Sequence, residues 1–213
     1  MIADKAQARD WLKQLPECDA TAIERLERLV SLLREENQRQ NLVSRGSLEG
    51  VWLRHIADSA QLLCHVPRET PGPWLDLGTG AGFPGMVIAI LCPDRSVCMV
   101  ESRARRIEWL ERLRLDLALD NASVAGQRLE DIPYRKVAVI SARAFAPFDK
   151  LLDLSARFST KDTVWLLPKG ASAQHELDRL DGWNHAFHVE PSITDSAAGI
   201  IVGNLTGRKA RKA

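Results

Sequence analysis

Cysteine is scarce in this chain and follows no pattern. The four residues, Cys18, Cys64, Cys92 and Cys98, include no CxxC pair, so zinc ribbons and thioredoxin-type dithiols are unsupported. Cys64, Cys92 and Cys98 sit in apolar runs, where a free thiol behaves as a small buried hydrophobe. No charged-then-apolar leader opens the sequence. The longest apolar run, Met86 to Cys92, falls far short of the ~20 residues a membrane span needs. Net charge is nearly absent, +1 from 29 basic and 28 acidic residues, so any nucleic-acid contact must rest on local positive charge. No set of His, Cys, Asp and Glu is spaced for a metal. These absences predict a reduced, cytoplasmic protein without membrane or metal.

The composition, 45% hydrophobic and 27% charged over 213 residues, is that of a globular chain. Area scaling predicts a folded surface of roughly 10,000 Å², with about 70% of the extended chain's surface buried. One core is then attainable without disulfides. Residues 1–66 read as helix only, in an N-terminal appendage that spans residues 1–70. Thr21 to Glu24 has the form of a capping box, opening an amphipathic stretch with Ile23, Leu26, Leu29, Val30 and Leu33 on one face. Leu48, Val51, Trp52, His55, Ile56 and Leu63 repeat that pattern. Pro67 to Pro73 forms a hinge.

From there to residue 207, short strands alternate with helices. Strands are expected at 74–77, 97–101, 123–125, 137–142, 163–167, 183–189 and 199–205. Helices are expected near 82–91, 103–119, 148–158 and 171–179. The alternation predicts an α/β fold with a parallel sheet covered on both faces. The last two strands lack a crossover helix and should form an antiparallel hairpin at the sheet edge. Residues 208–213 form a basic tail, Arg208, Lys209, Arg211 and Lys212 without an acid; a second positive run spans Arg103, Arg105, Arg106, Arg112 and Arg114.

The segment Asp76-Leu-Gly-Thr-Gly-Ala-Gly-Phe-Pro-Gly85 closes the first strand and opens a helix. Glycine there turns the backbone tightly and leaves no Cβ in a ligand's way. Glu101 closes the second strand, where a carboxylate accepts from both hydroxyls of a ribose. A dinucleotide and S-adenosylmethionine share these features, and Gly80 to Gly85 satisfies the G-x-G-x-x-G string. Three details favour S-adenosylmethionine: the acid Asp76 within the strand, the compact Gly78-x-Gly80-x-Gly82, and a chain too short for a second catalytic domain. A non-catalytic assembly factor that binds the same molecule is another reading, and a dinucleotide-dependent oxidoreductase a third. After the third strand, Leu129, Glu130 and Asp131 are placed to meet an adenine.

Reading onward, Val100-Glu101-Ser102 precedes paired basics and Trp109-Leu110. Arg128-Leu-Glu-Asp131, Ser141-Ala-Arg-Ala-Phe145 and Lys169-Gly170 follow, with Asn41-Leu42 and His55-Ile-Ala-Asp58-Ser59 upstream. This order resembles the ribosomal RNA small subunit methyltransferase G family, also called glucose-inhibited division protein B, from about Asn41 to Gly170. It departs from the family pattern at Arg105-Arg106 and at Glu36. The resemblance implies a Rossmann-like class I methyltransferase with a seven-stranded, mostly parallel sheet. It implies methylation of guanine N7 in 16S ribosomal RNA of the small subunit, the guanine numbered 527 in family usage, with S-adenosylmethionine as donor and the enzyme a monomer. It also implies donor contacts from Gly78, Phe83, Leu129, Glu130 and Arg143, to which the strand-end reading adds Asp76, Gly80, Gly82 and Glu101. Arg143, His55, Asp58 and Ser59 are expected to position the site, and Arg103, Arg105, Arg106 and Lys169 to meet RNA phosphates.

The chemistry agrees with this acceptor. Carbon-5 of a pyrimidine needs a Cys nucleophile, and no Cys follows Cys98; exocyclic amines are usually served by an Asn/Asp-Pro-Pro-aromatic loop, which is missing. Guanine N7 has an in-plane lone pair and no proton to lose, so it needs orientation rather than a base.

Overall fold

The computed structural model describes residues 1–143 and 145–210. Five parallel strands form most of the sheet: β1 (Trp74–Leu77), β2 (Val97–Val100), β3 (Ala122–Ala125), β4 (Val139–Ala142) and β5 (Val164–Gly170). Four further strands follow: β6 (Trp183–His185), β7 (His188–Pro191), β8 (Gly199–Gly203) and β9 (Leu205–Arg208). The main sheet has seven strands in the order β3-β2-β1-β4-β5-β8-β7, with β8 antiparallel to both neighbours. β1, β2 and β4 are short, fully buried runs, as strands covered on both faces must be, while the edge strand β3 is buried only at Ala122. Total accessible surface is 10660 Å², close to the expectation from length.

The C-terminal hairpin departs from expectation. The predicted strand 183–189 breaks at Ala186-Phe187, and 199–205 breaks at Asn204. β7 stays with β8 in the main sheet, while β6 pairs with β9 in a separate ribbon. The cause is a close crossing of backbones. A Cβ on Gly203, at φ 146°, would lie 2.3 Å from the Ala186 carbonyl oxygen. Phe187 turns inward there beside Phe148 and Trp165. The basic tail is also partly neutralised. Arg208 pairs with Asp153 and lies over Trp183, and Lys209 pairs with Asp181 at 2.8 Å. Arg211 and Lys212 lie outside the described residues.

Helices cover both faces. The appendage contributes α1 (Lys5–Leu12), α2 (Ala20–Glu36) and α3 (Arg45–Glu49). A π-helical turn at Trp52–Ala57, α4 (Asp58–Ala60) and a 3-10 turn at Gln61–His65 complete it. The second amphipathic stretch is thus segmented rather than one helix. α2 begins at Ala20 because Asp19 caps it, accepting from the Ala22 amide at 2.7 Å; the Thr21–Glu24 pair lies inside the first turn. Next come α5 (Gly85–Leu91), α6 (Ala104–Asp116), α7 (Phe148–Ser155) and α8 (Ala173–Asp178).

The apolar stripe of α2, Leu26, Leu29 and Leu33, enters one cluster with Met86 and Val87 of α5, Trp109 and Leu110 of α6, and Trp74 and Met99 of the sheet. The appendage therefore shares its core with the front face. Leu75, Leu77, Ile140, Phe158 and Trp165 form the opposite core with α7, as the period-2 alternation of strands requires. Glu36, a departure from the family pattern, is buried and takes Arg112 at 2.7 Å and Gln40 at 2.7 Å. Cys18 and Cys98 are buried and Cys92 partly so, but Cys64 is exposed, contrary to its apolar context.

Candidate active site

Register alone assembles the site. Leu77 of β1 lies level with Val100 of β2 and with Ala142 of β4. The next residues, Gly78, Glu101 and Arg143, therefore leave the sheet side by side at its carboxyl edge. That is the edge where open α/β sheets bind ligands.

Gly78 and Gly80 stand at φ 63° and 60°, a region that disfavours side chains. A Cβ on Gly78 would meet the Phe145 ring at 2.6 Å, so Phe145 rests directly on the loop. The Gly80 amide donates to Glu101 Oε2 at 3.2 Å, and Glu101 Oε1 accepts from the Ser102 and Arg103 amides at 2.8 and 3.0 Å. Arg106 lies 3.7 Å from the same carboxylate. Glu101 is thus fixed across the mouth of the loop by three backbone donors. Gly82 faces inward, where a Cβ would meet Met86 at 2.8 Å.

Asp76, expected to contact the donor, faces into the protein and braces the loop from within. It is fully buried. Oδ2 accepts from the Gly85 amide at 3.0 Å, and Oδ1 accepts from the Ser141 hydroxyl at 2.7 Å. Ser141 Oγ in turn accepts from Trp74 Nε1 at 2.8 Å. Burial raises the Asp76 pKa above the usual carboxylate range, and the hydrogen bonds from Ser141 and Gly85 work against that rise.

The segment expected beside adenine is a single 3-10 turn, Leu129–Asp131, with Leu129 buried and Glu130 exposed. A residue that sequence reading missed holds it. Arg157 Nη2 donates to the carbonyls of Leu129, Glu130 (2.9 Å) and Ile132 (3.1 Å), with its guanidinium 4.6 Å from the Phe158 ring centroid. No motif marks Arg157, because its partners are backbone atoms distant in sequence. Arg157→Ala is expected to weaken S-adenosylhomocysteine binding about tenfold, equivalent to one lost hydrogen bond to a charged group. Calorimetric titration checks this.

Arg143 joins the loop after β4 to the appendage. Its guanidinium donates to His55 Nδ1 at 3.1 Å and lies 3.5 Å from Asp58 Oδ2 and 5.6 Å from the Phe83 ring centroid. His55 stacks on Phe83 with centroids 4.8 Å apart. The π-helical turn at Trp52–Ala57 sets His55 and Asp58 toward one partner; such turns recur at functional sites. Ser59 is buried and, among the described residues, makes no bond to the β4 loop, contrary to expectation. Its expected place is taken by Thr194 and Gln61, which donate to Asp58 Oδ1 at 2.9 Å each. Thr194 was not legible in sequence, because it enters from the turn between β7 and β8.

Burial first, then the charges of Arg143 and Arg54, lower the His55 pKa to about 3. His55 is therefore neutral at pH 7. Accepting at Nδ1 places its proton on Nε2, which is buried without a partner. Between pH 6.5 and about 3 the unfolded chain binds a proton here that the folded chain does not. Stability attributable to this group is therefore complete above pH 6.5 and lost as pH falls. From pH 6.5 to 5 the loss is about 2 kcal/mol. His55→Gln keeps an acceptor for Arg143 and is expected to flatten that part of the profile, read by urea unfolding at each pH.

The residues expected to meet RNA separate. Arg103 and Arg105 are exposed at the start of α6, beside the partly buried Arg106. Lys169, at the end of β5, lies three strands from β2, roughly 14 Å away by strand spacing. Its side chain is only 7% exposed, and Nζ is held by Glu176 at 2.9 Å. Lys169, expected to contact a phosphate, is paired with Glu176 in the structure. It lines a cavity of about 770 Å³ beyond β4 and β5, next to Arg143 and Phe145. Among the described residues no group of three or more His, Cys, Asp or Glu is placed to hold a metal. Nor is any helix there long and apolar enough to cross a membrane.

A family model described as GidB, rRNA small subunit methyltransferase G, matches residues 22–198. The chain is 58% identical over 211 residues to a ribosomal RNA small subunit methyltransferase G of Novosphingobium aromaticivorans, covering 98% of this chain and 91% of that one. It is 58% identical over 204 residues to the protein of that name from Erythrobacter litoralis, covering 95% and 97%. Among solved structures, a SAM-dependent methyltransferase from Aquifex aeolicus shares the fold with TM-score 0.56 at 14% identity, covering 83% of this chain and 97% of that one. An MtNAS variant in complex with S-adenosylmethionine does so with TM-score 0.57 at 15% identity, covering 95% and 84%.

Proposed function

This chain belongs to the rRNA small subunit methyltransferase G family, and from that premise we propose that it transfers a methyl group from S-adenosylmethionine to guanine N7 of 16S ribosomal RNA. We take the substrate to be the RNA within the small ribosomal subunit, and the enzyme to act as a cytoplasmic monomer without a metal. The observation that carries the reading is the level placement of Gly78, Glu101 and Arg143 at the sheet edge. The strand order also weighs against a dinucleotide-dependent oxidoreductase. That fold commonly continues 3-2-1-4-5-6 in parallel, whereas here an antiparallel β8 is inserted before β7.

The residues present fit the donor. Positive φ at Gly78 and Gly80 lets the backbone turn tightly at the sheet edge, as a loop that carries the donor must. Glu101 is oriented by the Gly80, Ser102 and Arg103 amides and retains lone pairs for ribose hydroxyls. The Leu129 amide and Glu130 would serve the adenine, Phe83 the methionine part, and Arg143 its carboxylate. S-adenosylmethionine supplies a methyl group already activated on a sulfonium. The chain's own work is positioning. Arg143, braced by Asp58 and by neutral His55, holds the loop after β4 against the appendage. The acceptor nitrogen has no proton to lose, so the transfer asks for neither a cysteine nucleophile nor a general base. Arg103 and Arg105 supply exposed charge for phosphates, which predicts binding that weakens with salt.

Incubation with tritiated donor and small subunits, followed by mass spectrometry of the labelled base, tests the reading. Label in N7-methylguanine is the expected result. Donor binding without label in RNA would leave the non-catalytic assembly factor in its place.

A further inference from the structure

The cavity of about 770 Å³ beyond β4 and β5 adjoins the proposed donor cradle and shares Arg143 with it. Arg143 and Phe145 form its wall on the side of the glycine loop, and Phe148, Lys169, Glu176 and Arg179 line the remainder. Its size lies in the range of small-molecule sites. Phe145 touches Gly78 on one side and the cavity on the other, so an occupant would lie next to the donor. The polar groups at its far end are unusually fixed. Lys169 Nζ, nearly buried, lies 2.9 Å from Glu176 Oε2 and 5.7 Å from the Phe148 ring centroid. Ser172 Oγ donates to Glu176 Oε1 at 2.7 Å.

Glu176 is partly buried, and burial works to raise its pKa. The hydrogen bonds from Lys169 and Ser172, with the Lys169 charge, outweigh that effect and hold it below the usual carboxylate value. It is therefore an anion at neutral pH, half-buried, with lone pairs still available.

We propose that this cavity receives the acceptor guanine and that Glu176 reads it, its carboxylate accepting from the N1–H and the 2-amino group. This rests on the methyl-transfer reading above and names the residue that selects the base. A carboxylate matches the paired donors of guanine's Watson–Crick edge. Adenine presents a lone pair at N1 and is repelled there. A site built to hydrogen-bond a ligand discriminates strongly against one that leaves its buried polar groups unmatched. The orientation also suits the chemistry. N7 lies on the adjoining Hoogsteen edge, so a base held at α8 through its N1–H and 2-amino group leaves N7 unblocked for the methyl group. Phe148 offers an apolar face, and exposed Arg179 a phosphate contact. The base must leave its stack to enter, as bases do for enzymes that modify them.

The test is binding of guanosine 5′-monophosphate and adenosine 5′-monophosphate to the full chain saturated with S-adenosylhomocysteine, followed by chemical-shift titration. The wild type is expected to prefer the guanine nucleotide at least tenfold. Glu176→Gln should erase that preference, Glu176→Asp should restore part of it, and affinity for S-adenosylhomocysteine should stay within twofold in both. Equal affinities in the wild type, or a preference surviving in Glu176→Gln, would overturn the proposal. Glu176→Asp guards against a purely structural loss. A wild type that prefers guanine yet labels no RNA would count against methyl transfer and leave the role of Glu176 standing.

Discussion

Arg143→Ala is expected to lower kcat/KM for methyl transfer to small ribosomal subunits by about 100-fold, equivalent to ~2.7 kcal/mol. The side chain makes contacts no other residue replaces. It donates to His55 Nδ1, faces Asp58 and reaches the Arg54 carbonyl at 3.4 Å, so it fastens the loop after β4 to the appendage. Removing it frees that loop and withdraws the cation proposed for the donor's carboxylate. Truncating one partner of a hydrogen-bonded charge pair typically costs 2–5 kcal/mol; the partial exposure of Asp58 places this pair at the lower end. Arg143→Lys should recover little, since a single ammonium cannot address His55 and Asp58 together. The checks are single-turnover transfer of tritiated methyl and calorimetric affinity for S-adenosylhomocysteine. Near-normal rates in the alanine variant would remove Arg143 from the site.

Asp76→Ala is expected to act on stability. Both carboxylate oxygens are occupied inside the protein, by the Gly85 amide that starts α5 and by Ser141, which is itself held by Trp74. Two hydrogen bonds to a buried acceptor vanish and their donors are left dry, a loss of about 3–5 kcal/mol. For a chain of this size the melting temperature should fall by about 10 °C or more. Asp76→Asn keeps the volume but cannot accept at both sites and should fall between. Scanning calorimetry reads the shift. A variant that melts normally yet binds no donor would return Asp76 to the role first expected from its place beside the glycines.

Asp76 shows how far the chain could be read directly. The acid before Gly78 was visible, and so was its unusual presence in a buried strand. That its oxygens turn inward depends on Ser141, 65 positions away, and on the level register of β1 and β4. Lys169 shows the same limit. Its position after a strand signalled a phosphate contact, whereas Glu176 of the next helix had already claimed its charge. Arg157 escaped notice because backbone carbonyls carry no sequence signature. The hairpin 183–205 was found but not its break, since alternation reports which residues face inward and not where two backbones cross.

The sequence by itself determined the α/β alternation, the glycine turn, the acid that closes the second strand, and the helical character of the first seventy residues. These are local matters: period, turn geometry and backbone freedom act over a few positions, and the residues themselves carry them. Only the tertiary structure decided that Gly78, Glu101 and Arg143 stand in one row, that Thr194 and Gln61 anchor Asp58, and that Glu176 faces a cavity shared with Arg143. Apart from the Gln61 contact, which spans three positions, each of those facts joins segments tens of residues apart. Such contacts follow from sheet register and from the packing of helices on both faces, which no short window of the chain encodes.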